Sequence, residues 1–419
     1  MDRRLLSLAV ISALVVASGT AQAGGLYLQE YATPSQGAAG AGANALGTDA
    51  STAFHNPAGM TRLDDHALLG GGGLLITDVQ FDKSGSTPNT GGNGGNQGGL
   101  GPILSAHYVH VISDRIRFGA SLVSVSGAVL DPSNGWAGRF EVQKVSFITL
   151  SAMPSIAVEV VEGFSLAASL NVLYANLDYD LAVQLPVGPE GRVKVEDADD
   201  VDIGWRLSML AEPTETTRFG VTYQSKVEPK LEGSVKPRNT PPNFDDDIKT
   251  KIPLVEAIHG GVYHRLNDQF AVMGSVSWEN WSTFGSQPIQ LGAINAAIPR
   301  RWHDTWGVSA GVHYYLDDKW MFQTGVRYDS TPVRNKDRTA DLPLDQQVRW
   351  ALGAQYQLSD SLNLGGAITY AWYGKGKIRS SSLRGDYERN NVFFLTLNLG
   401  FSKLPWSGAL RFGSPESKS

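Results

Sequence analysis

The chain contains no cysteine among its 419 residues, so no disulfide framework holds it together. It has no run of basic residues and carries a net charge of −6, which removes the positive footprint that nucleic-acid binding needs. Beyond residue 23 no stretch approaches the roughly eighteen apolar residues of a membrane-spanning helix. Metal-ligand spacing is missing too: His259, His264, His303 and His313 are scattered, and no metal is assigned. Two motif fragments fail on context. GVSAG, Gly307 to Gly311, has the pattern of a nucleophile elbow, but Trp306, Val308, Ala310, Val312 and Tyr314 carry a strand alternation straight through Ser309. GAGANA, Gly40 to Ala45, resembles a relaxed dinucleotide fingerprint with no strand before it and no βαβ unit around it. No catalytic residue and no cofactor are assigned.

What is present begins at the N-terminus. MDRRLLSLAVISALVVASGTAQA joins a basic start at Arg3 and Arg4, an apolar stretch from Leu5 to about Ala17, and a small-residue end at Ala21-Gln22-Ala23. That is the pattern of a cleaved secretory signal over residues 1–23, with the mature chain expected to begin at Gly24. An exported chain without a helical span can still cross a membrane if its strands close into a barrel, because closure leaves no backbone group unpaired in lipid.

Period-two alternation runs through most of the chain. Phe270, Val272, Gly274, Val276 and Trp278 share one face, against Ala271, Met273, Ser275 and Ser277 on the other. Leu362, Leu364, Gly366, Ile368, Tyr370 and Trp372 likewise oppose Asn363, Gly365, Ala367 and Thr369. A soluble sandwich also alternates, so the second face decides. Here it holds small and polar residues with an occasional arginine, as a barrel lumen does, and aromatics gather near strand ends as in an interfacial girdle.

Tight polar turns recur at Ser113-Asp114, Glu162-Gly163, Glu212 to Thr216, Asn267-Asp268, Asp317-Asp318 and Ser359-Asp360. Between them lie longer segments read as irregular loops, near 82–101, 130–141, 181–198, 229–251, 283–301, 330–343 and 375–389. Short turns on one rim and long loops on the other are the asymmetry of an outer-membrane barrel, short side periplasmic. Six turns give twelve strands, and one more at each end makes fourteen. The expected fold is therefore all-β, a 14-stranded antiparallel transmembrane β-barrel over residues 66–401, with a tail over 402–419. Gly91 to Gly99, GGNGGNQGG, reads as a flexible loop. The aspartates of DADDVD, Asp197 to Asp202, read as a solvated acidic loop, with a divalent cation or a cation bridge to lipopolysaccharide as the alternative.

Residues 24–65 show no alternation yet carry Leu26, Tyr27, Leu28, Tyr31, Phe54, Met60 and Leu63 among many glycines and alanines. Such a segment is expected to fold back inside the barrel, where close backbone approach favours small residues. Its Asn56-Pro57-Ala58 step reads as a rigid turn, since proline fixes φ and the asparagine amide bonds nearby backbone. The stretch from Gly24 to Leu63, with Leu26, Tyr27, Leu28 and Glu30, the Gly/Ala run Gly37 to Gly47, Asp49-Ala50-Ser51 and Asn56 to Met60, closely resembles the N-terminal hatch of the FadL family.

That resemblance implies a monomeric outer-membrane transporter of hydrophobic molecules, set among outer-membrane lipid and lipopolysaccharide. The expected ligand is a long-chain fatty acid, the alternative a monoaromatic hydrocarbon. It also implies a hatch-lined pocket and lateral release through a gap at a kinked third strand, here about Ile116 to Val129. Residues expected at the pocket are Gly25, Leu26, Tyr27, Phe54, Asn56, Pro57 and Ala58, with Gly127 at the gap. Arg117, Arg218, Arg327 and Arg349 face the lumen by parity, beside Glu279; they read as a structural network bracing the lumen, with a fatty-acid carboxylate held by an arginine as the alternative. The segments 181–198 and 229–251 are short and bear the aspartates 197–202 and 245–247, a departure from those family members that build a helical collecting groove there. A general porin and a barrel lipase are the rival readings.

Overall fold

The computed structural model describes residues 26–185, 189–239, 247–291 and 294–402. The signal segment, Gly24, Gly25 and the tail beyond Ser402 lie outside them. Fourteen antiparallel strands make one closed sheet. In chain order they are β1 (Ala67–Lys83), β2 (Leu100–Val111), β3 (Ile116–Val123, continued by Gly127–Leu130), β4 (Lys144–Val161), β5 (Phe164–Val183) and β6 (Gly191–Thr214). There follow β7 (Thr217–Gln224 and Lys230–Arg238), β8 (Asp247–Lys251 and Ala257–Arg265), β9 (Phe270–Glu279 and Ser286–Leu291) and β10 (Ile294–Pro299 and Thr305–Tyr315). The circuit ends with β11 (Trp320–Asp329), β12 (Gln347–Ser359), β13 (Leu362–Trp372) and β14 (Arg384–Ser402), and β14 pairs along β1 from Ala67↔Ser402 to Lys83↔Gly385. The first and last strands are therefore paired with each other and neither is a free edge.

Alternation sets the two faces. Leu104, Ile203, Leu352 and Leu397 stand outward, each more than 60% exposed, while Ser105, Ser309, Thr369 and Asn398 point inward and are buried. No helix among the described residues is long and apolar enough to cross a membrane, so the strands provide the crossing.

Three expectations need correction. The segments 181–198, 229–251 and 283–301 are largely strand, because β5 to β10 continue as ladders above the apolar band. Val193 and Val195 still point inward there, while Arg192 and Lys194 point outward into water. The aspartates 197–202 are accordingly part of β6, with a bulge where Asp197 takes φ +53. Asp200 and Asp202 accept the amides of Lys230 and Glu228 at 2.8 and 2.7 Å, which serves the backbone where β7 is interrupted. Finally, the stretch Gly91 to Gly99 is ordered: Asn96 bridges to Gln80, and Gln97 is fully buried.

Residues 26–66 occupy the space inside the ring. Four short helical turns, Pro34–Ala38, Ala43–Leu46, Thr52–His55 and Pro57–Arg62, touch strands all around the circuit, from β2–β6 to β10–β13. The wall presents glycine where backbone meets backbone. A Cβ on Gly220 would overlap the Asn44 carbonyl, and one on Gly325 would overlap the Ala38 carbonyl. Asn56 ties the segment further: its amide donates to Asn44 O at 2.6 Å and to Met209 O of β6 at 2.9 Å, while its Oδ1 accepts from Ala58 N. Pro57 opens the following turn, where no amide is required.

Substituting Gly220→Val should therefore unseat this segment at an overpacking cost of about 1–3 kcal/mol, leaving the barrel closed. The expected outcome in a planar bilayer is a raised ion conductance from a protein that keeps its heat-modifiable mobility; unchanged conductance would show that the wall tolerates the side chain. Asn56→Ala should likewise speed deuterium exchange across 43–60, since two carbonyls lose their donor.

Candidate functional site

Four consecutive strands break at one level: β7 at 225–229, β8 at 252–256, β9 at 280–285 and β10 at 300–304. The released segments turn Val227, Leu254, Val255, Trp281, Phe284 and Trp302 into the lumen, all buried. Trp302 packs against Trp281 and Phe284 with ring centroids 5.2 and 5.0 Å apart, and Tyr27 packs tilted against Trp281 at 5.6 Å. Beneath this aromatic roof lies a central cavity of about 70 Å³, bordered by Tyr27, Tyr31, Phe54, Val125, Met153 and Arg206. Above it a smaller space of about 30 Å³ is lined by Leu26, Phe147, Leu177, Phe284 and Leu342. Leu26 and Tyr27 stand between the two. Of the pocket residues expected from sequence, Leu26, Tyr27 and Phe54 border these spaces. Asn56, Pro57 and Ala58 lie lower and are spent on the turn and its bonds to the wall.

A third cavity of about 510 Å³ opens at the rim of tight turns, between Leu46, Asp49, Asp64 and the turn Asp317-Asp318. The hatch separates it from the central space: Pro34, Leu46 and Ala50 line the lower side, Gly40, Ala43 and Asn44 the upper. Its aspartates, Asp49, Asp64, Asp65, Asp317 and Asp318, outnumber the two cations that line it, Lys319 and Arg62, and Arg62 is paired with Glu212. The larger cavity is therefore the poorer candidate for an anionic amphiphile.

The four arginines marked from sequence are all buried, but they do not converge. Arg117 bonds the carbonyls of Leu63, Ser113 and Ile116 at the periplasmic end, and Arg218 lies 4.0 Å over the Tyr263 ring. Arg349 is paired with Glu30 of the hatch at 2.9 Å and with Asp329, and Arg327 holds the same Asp329 at 2.6 Å. Two carboxylates thus serve these two guanidiniums. Glu279 accepts from Trp281 and Thr305.

Arg206 of β6 was missed, because the strand reading was not carried through Trp205 to Leu210. The same alternation places it inward, between outward Trp205 and Leu207. Its Nη1 donates to Phe54 O at 2.8 Å and its Nη2 to Gln224 Oε1 at 3.1 Å, with the guanidinium 5.1 Å from the Phe54 ring. It is 6% exposed and borders the central cavity, and no carboxylate pairs with it among the described residues.

The third strand breaks at Ser124 to Ser126, and Gly127 is where pairing resumes, opposite Ile148 of β4. The break bends inward to the hatch. Leu28 N donates to Val125 O at 3.0 Å, Ser126 Oγ donates to Leu26 O, and Tyr27 bridges Ser126. Thr149 satisfies the remaining Ser126 groups at 2.8 and 2.9 Å. β2 pairs with β3 only up to Ser105↔Val123. Above that point residues 98–104 have no backbone partner on the β3 side among the described residues. Because Gly99 O accepts from Thr77 N of β1, even-numbered residues of this stretch turn their backbone toward β3. One of them is Pro102, which has no amide to leave unpaired. The backbone pairing between β2 and β3 is thus interrupted next to Val125, which borders the central cavity.

No cluster of His, Cys, Asp or Glu among the described residues has metal-binding geometry. Ser309 lies in mid-strand, facing the lumen, without the strand-turn-helix junction of a nucleophile elbow.

Comparison with known proteins places this architecture. The structure resembles that of a Pseudomonas aeruginosa FadL homologue, with a TM-score of 0.82 and 20% identity over 92% of this chain and 99% of the other. It also resembles the Pseudomonas putida toluene transporter TodX, with a TM-score of 0.69 and 19% identity over 90% and 99%. In sequence, the long-chain fatty acid transport protein of Escherichia coli K12 is 24% identical over 87% of this chain and 91% of that protein. Outer membrane protein P1 of Haemophilus influenzae is 24% identical over 87% and 89%. A model of the outer membrane protein transport protein family (OMPP1/FadL/TodX) matches residues 14–399, and the chain belongs to that family of outer-membrane transporters for hydrophobic compounds.

Proposed function

We propose that this protein carries long-chain fatty acids across the outer membrane, holding the carboxylate at Arg206 and releasing the ligand sideways between β2 and β3. The observation that carries the choice of ligand is the buried, carboxylate-free guanidinium of Arg206 beside an aromatic and aliphatic cavity. A charge in that setting is costly unless it is paired when ligand binds. Relatives named long-chain fatty acid transport proteins agree with this reading. A neutral aromatic hydrocarbon, the ligand class of TodX by name, would leave the charge of Arg206 unpaired, held by its bonds to Phe54 O and Gln224.

The route follows from volumes. A cavity of about 150 Å³ holds benzene, and the central space is about 70 Å³. An acyl chain therefore enters only if Leu26 and Tyr27 move and join the two spaces. Those residues are held by Ser126 at the break in β3, so the movement that admits the ligand also frees the edge of the lateral opening. No energy source is needed, because transfer from water to an apolar pocket and then to lipid is downhill.

Binding to the purified protein tests the ligand. Arg206→Met should weaken palmitate binding by about tenfold to a hundredfold, the worth of a hydrogen bond to a charged group, and leave toluene binding unchanged. Palmitate affinity that ignores the substitution would remove Arg206 from the mechanism; binding of toluene alone would transfer the protein to hydrocarbons. The movement is tested by placing cysteines at Tyr27 and Ser126, directly opposed residues in a chain with no natural cysteine. Oleate uptake by cells lacking their own transporter should stop when this pair is oxidised and return on reduction, whereas equal uptake in both states would show that the arm need not move.

A further inference from the structure

We propose that the glycine-rich stretch Gly91 to Gly99 is a fixed lintel over the lateral opening, and that its clasp to residues 131–137 sets the largest ligand that can leave. The inference rests on the lateral route proposed above.

The opening has a lower and an upper limit. Below, Ser105 pairs with Val123. Above, Asp131 N donates to Gln97 O at 2.9 Å, bringing the chain beyond β3 back against the continuation of β2. Residues 98–104 span the distance between, about 20 Å at roughly 3.3 Å per residue. That length matches an extended acyl chain, so its upper boundary bears on what passes.

The boundary is firmly built. Gln97 N donates to Val79 O at 2.7 Å and Gly99 O accepts from Thr77 N at 2.9 Å, so the stretch continues the β2 ladder along β1. On its other side three more backbone bonds join the loops: Ser133 N to Gly94 O, Ala137 N to Gly92 O and Gly92 N to Gly135 O, at 2.9, 2.9 and 3.1 Å. The glycines are needed for conformation and for space. Gly94 takes φ +91, and a Cβ on Gly91 would stand 2.5 Å from Gly135 O. Two buried side chains lock the clasp. Trp136 is fully buried against Phe81 and donates to Val142 O at 2.8 Å, and Gln97, also fully buried, accepts from Tyr387 OH at 3.3 Å. A loop built only to connect two strands has no need of these bonds.

Trp136→Ala and Gln97→Ala test the lintel in the full-length protein. Deuterium exchange at 92–97 reports whether the clasp has loosened, and uptake of dodecanoate is compared with that of dodecanoate bearing a terminal pyrene. The expected result is faster exchange with about a tenfold gain in pyrene-dodecanoate uptake, in the range of steric discrimination by an apolar site, and dodecanoate uptake little changed. Faster exchange with an unaltered ratio of the two ligands overturns the proposal. So does exchange that neither substitution accelerates, because the clasp would then not depend on these side chains. Failure of the underlying route looks different: the unsubstituted protein would bind palmitate yet take up neither ligand.

Discussion

A backbone amide or carbonyl that meets hydrocarbon without a partner costs several kcal/mol, and this constraint organises every irregular feature of the barrel. Where the ladder continues, neighbouring strands meet it. Where it stops, a specific substitute appears. The break in β3 is served by Thr149 on one side and by the hatch arm Leu26–Leu28 on the other. The interruption of β7 is served by the carboxylates of Asp200 and Asp202. At the unpaired margin of β2, Pro102 removes one donor altogether.

The same constraint gives the hatch two distinct relationships to the wall. Along Ala38 to Asn56 it is seated on glycines so closely that no Cβ would fit, and Asn56 bonds to β6, so this part behaves as wall. At Leu26–Leu28 it is held by hydrogen bonds to the bent segment of β3 and by the Tyr27 hydroxyl, which donates to Val255 O in the break of β8. On the proposed route the arm at Leu26–Leu28, next to the cavity and the break in β3, is the part that moves, while the rest of the segment stays on the wall. Charge reinforces the division. Glu30, Arg349, Asp329 and Arg327 form a neutralised group that pins the far end of the arm, whereas Arg206 alone faces the cavity without a carboxylate.

Alternation and tight turns are local properties, so they could be read directly: each of the six short turns separates a pair of observed strands, and the strand count follows. Charged, irregular-looking segments misled, since β5 to β10 extend beyond the apolar band, where outward positions become charged without ceasing to be strand. Parity placed Arg327, Arg349 and their companions in the lumen, and applied to β6 it would have placed Arg206 there as well. Parity says nothing of partners. That Arg349 is paired with Glu30, and Arg206 with no carboxylate among the described residues, depends on contacts between residues far apart in the chain.

The sequence by itself determined the export signature, the number and order of strands, the lipid-facing stripes and the small-residue segment that fills the lumen, because each is written in spacing of two or in local composition. Tertiary structure alone decided which buried arginine borders the central cavity without a carboxylate partner among the described residues, where the pairing of β2 with β3 stops, and that a run of glycines, asparagines and glutamine is bonded to residues 131–137. Those outcomes depend on which backbone groups find partners across the barrel, and no local pattern records a partner.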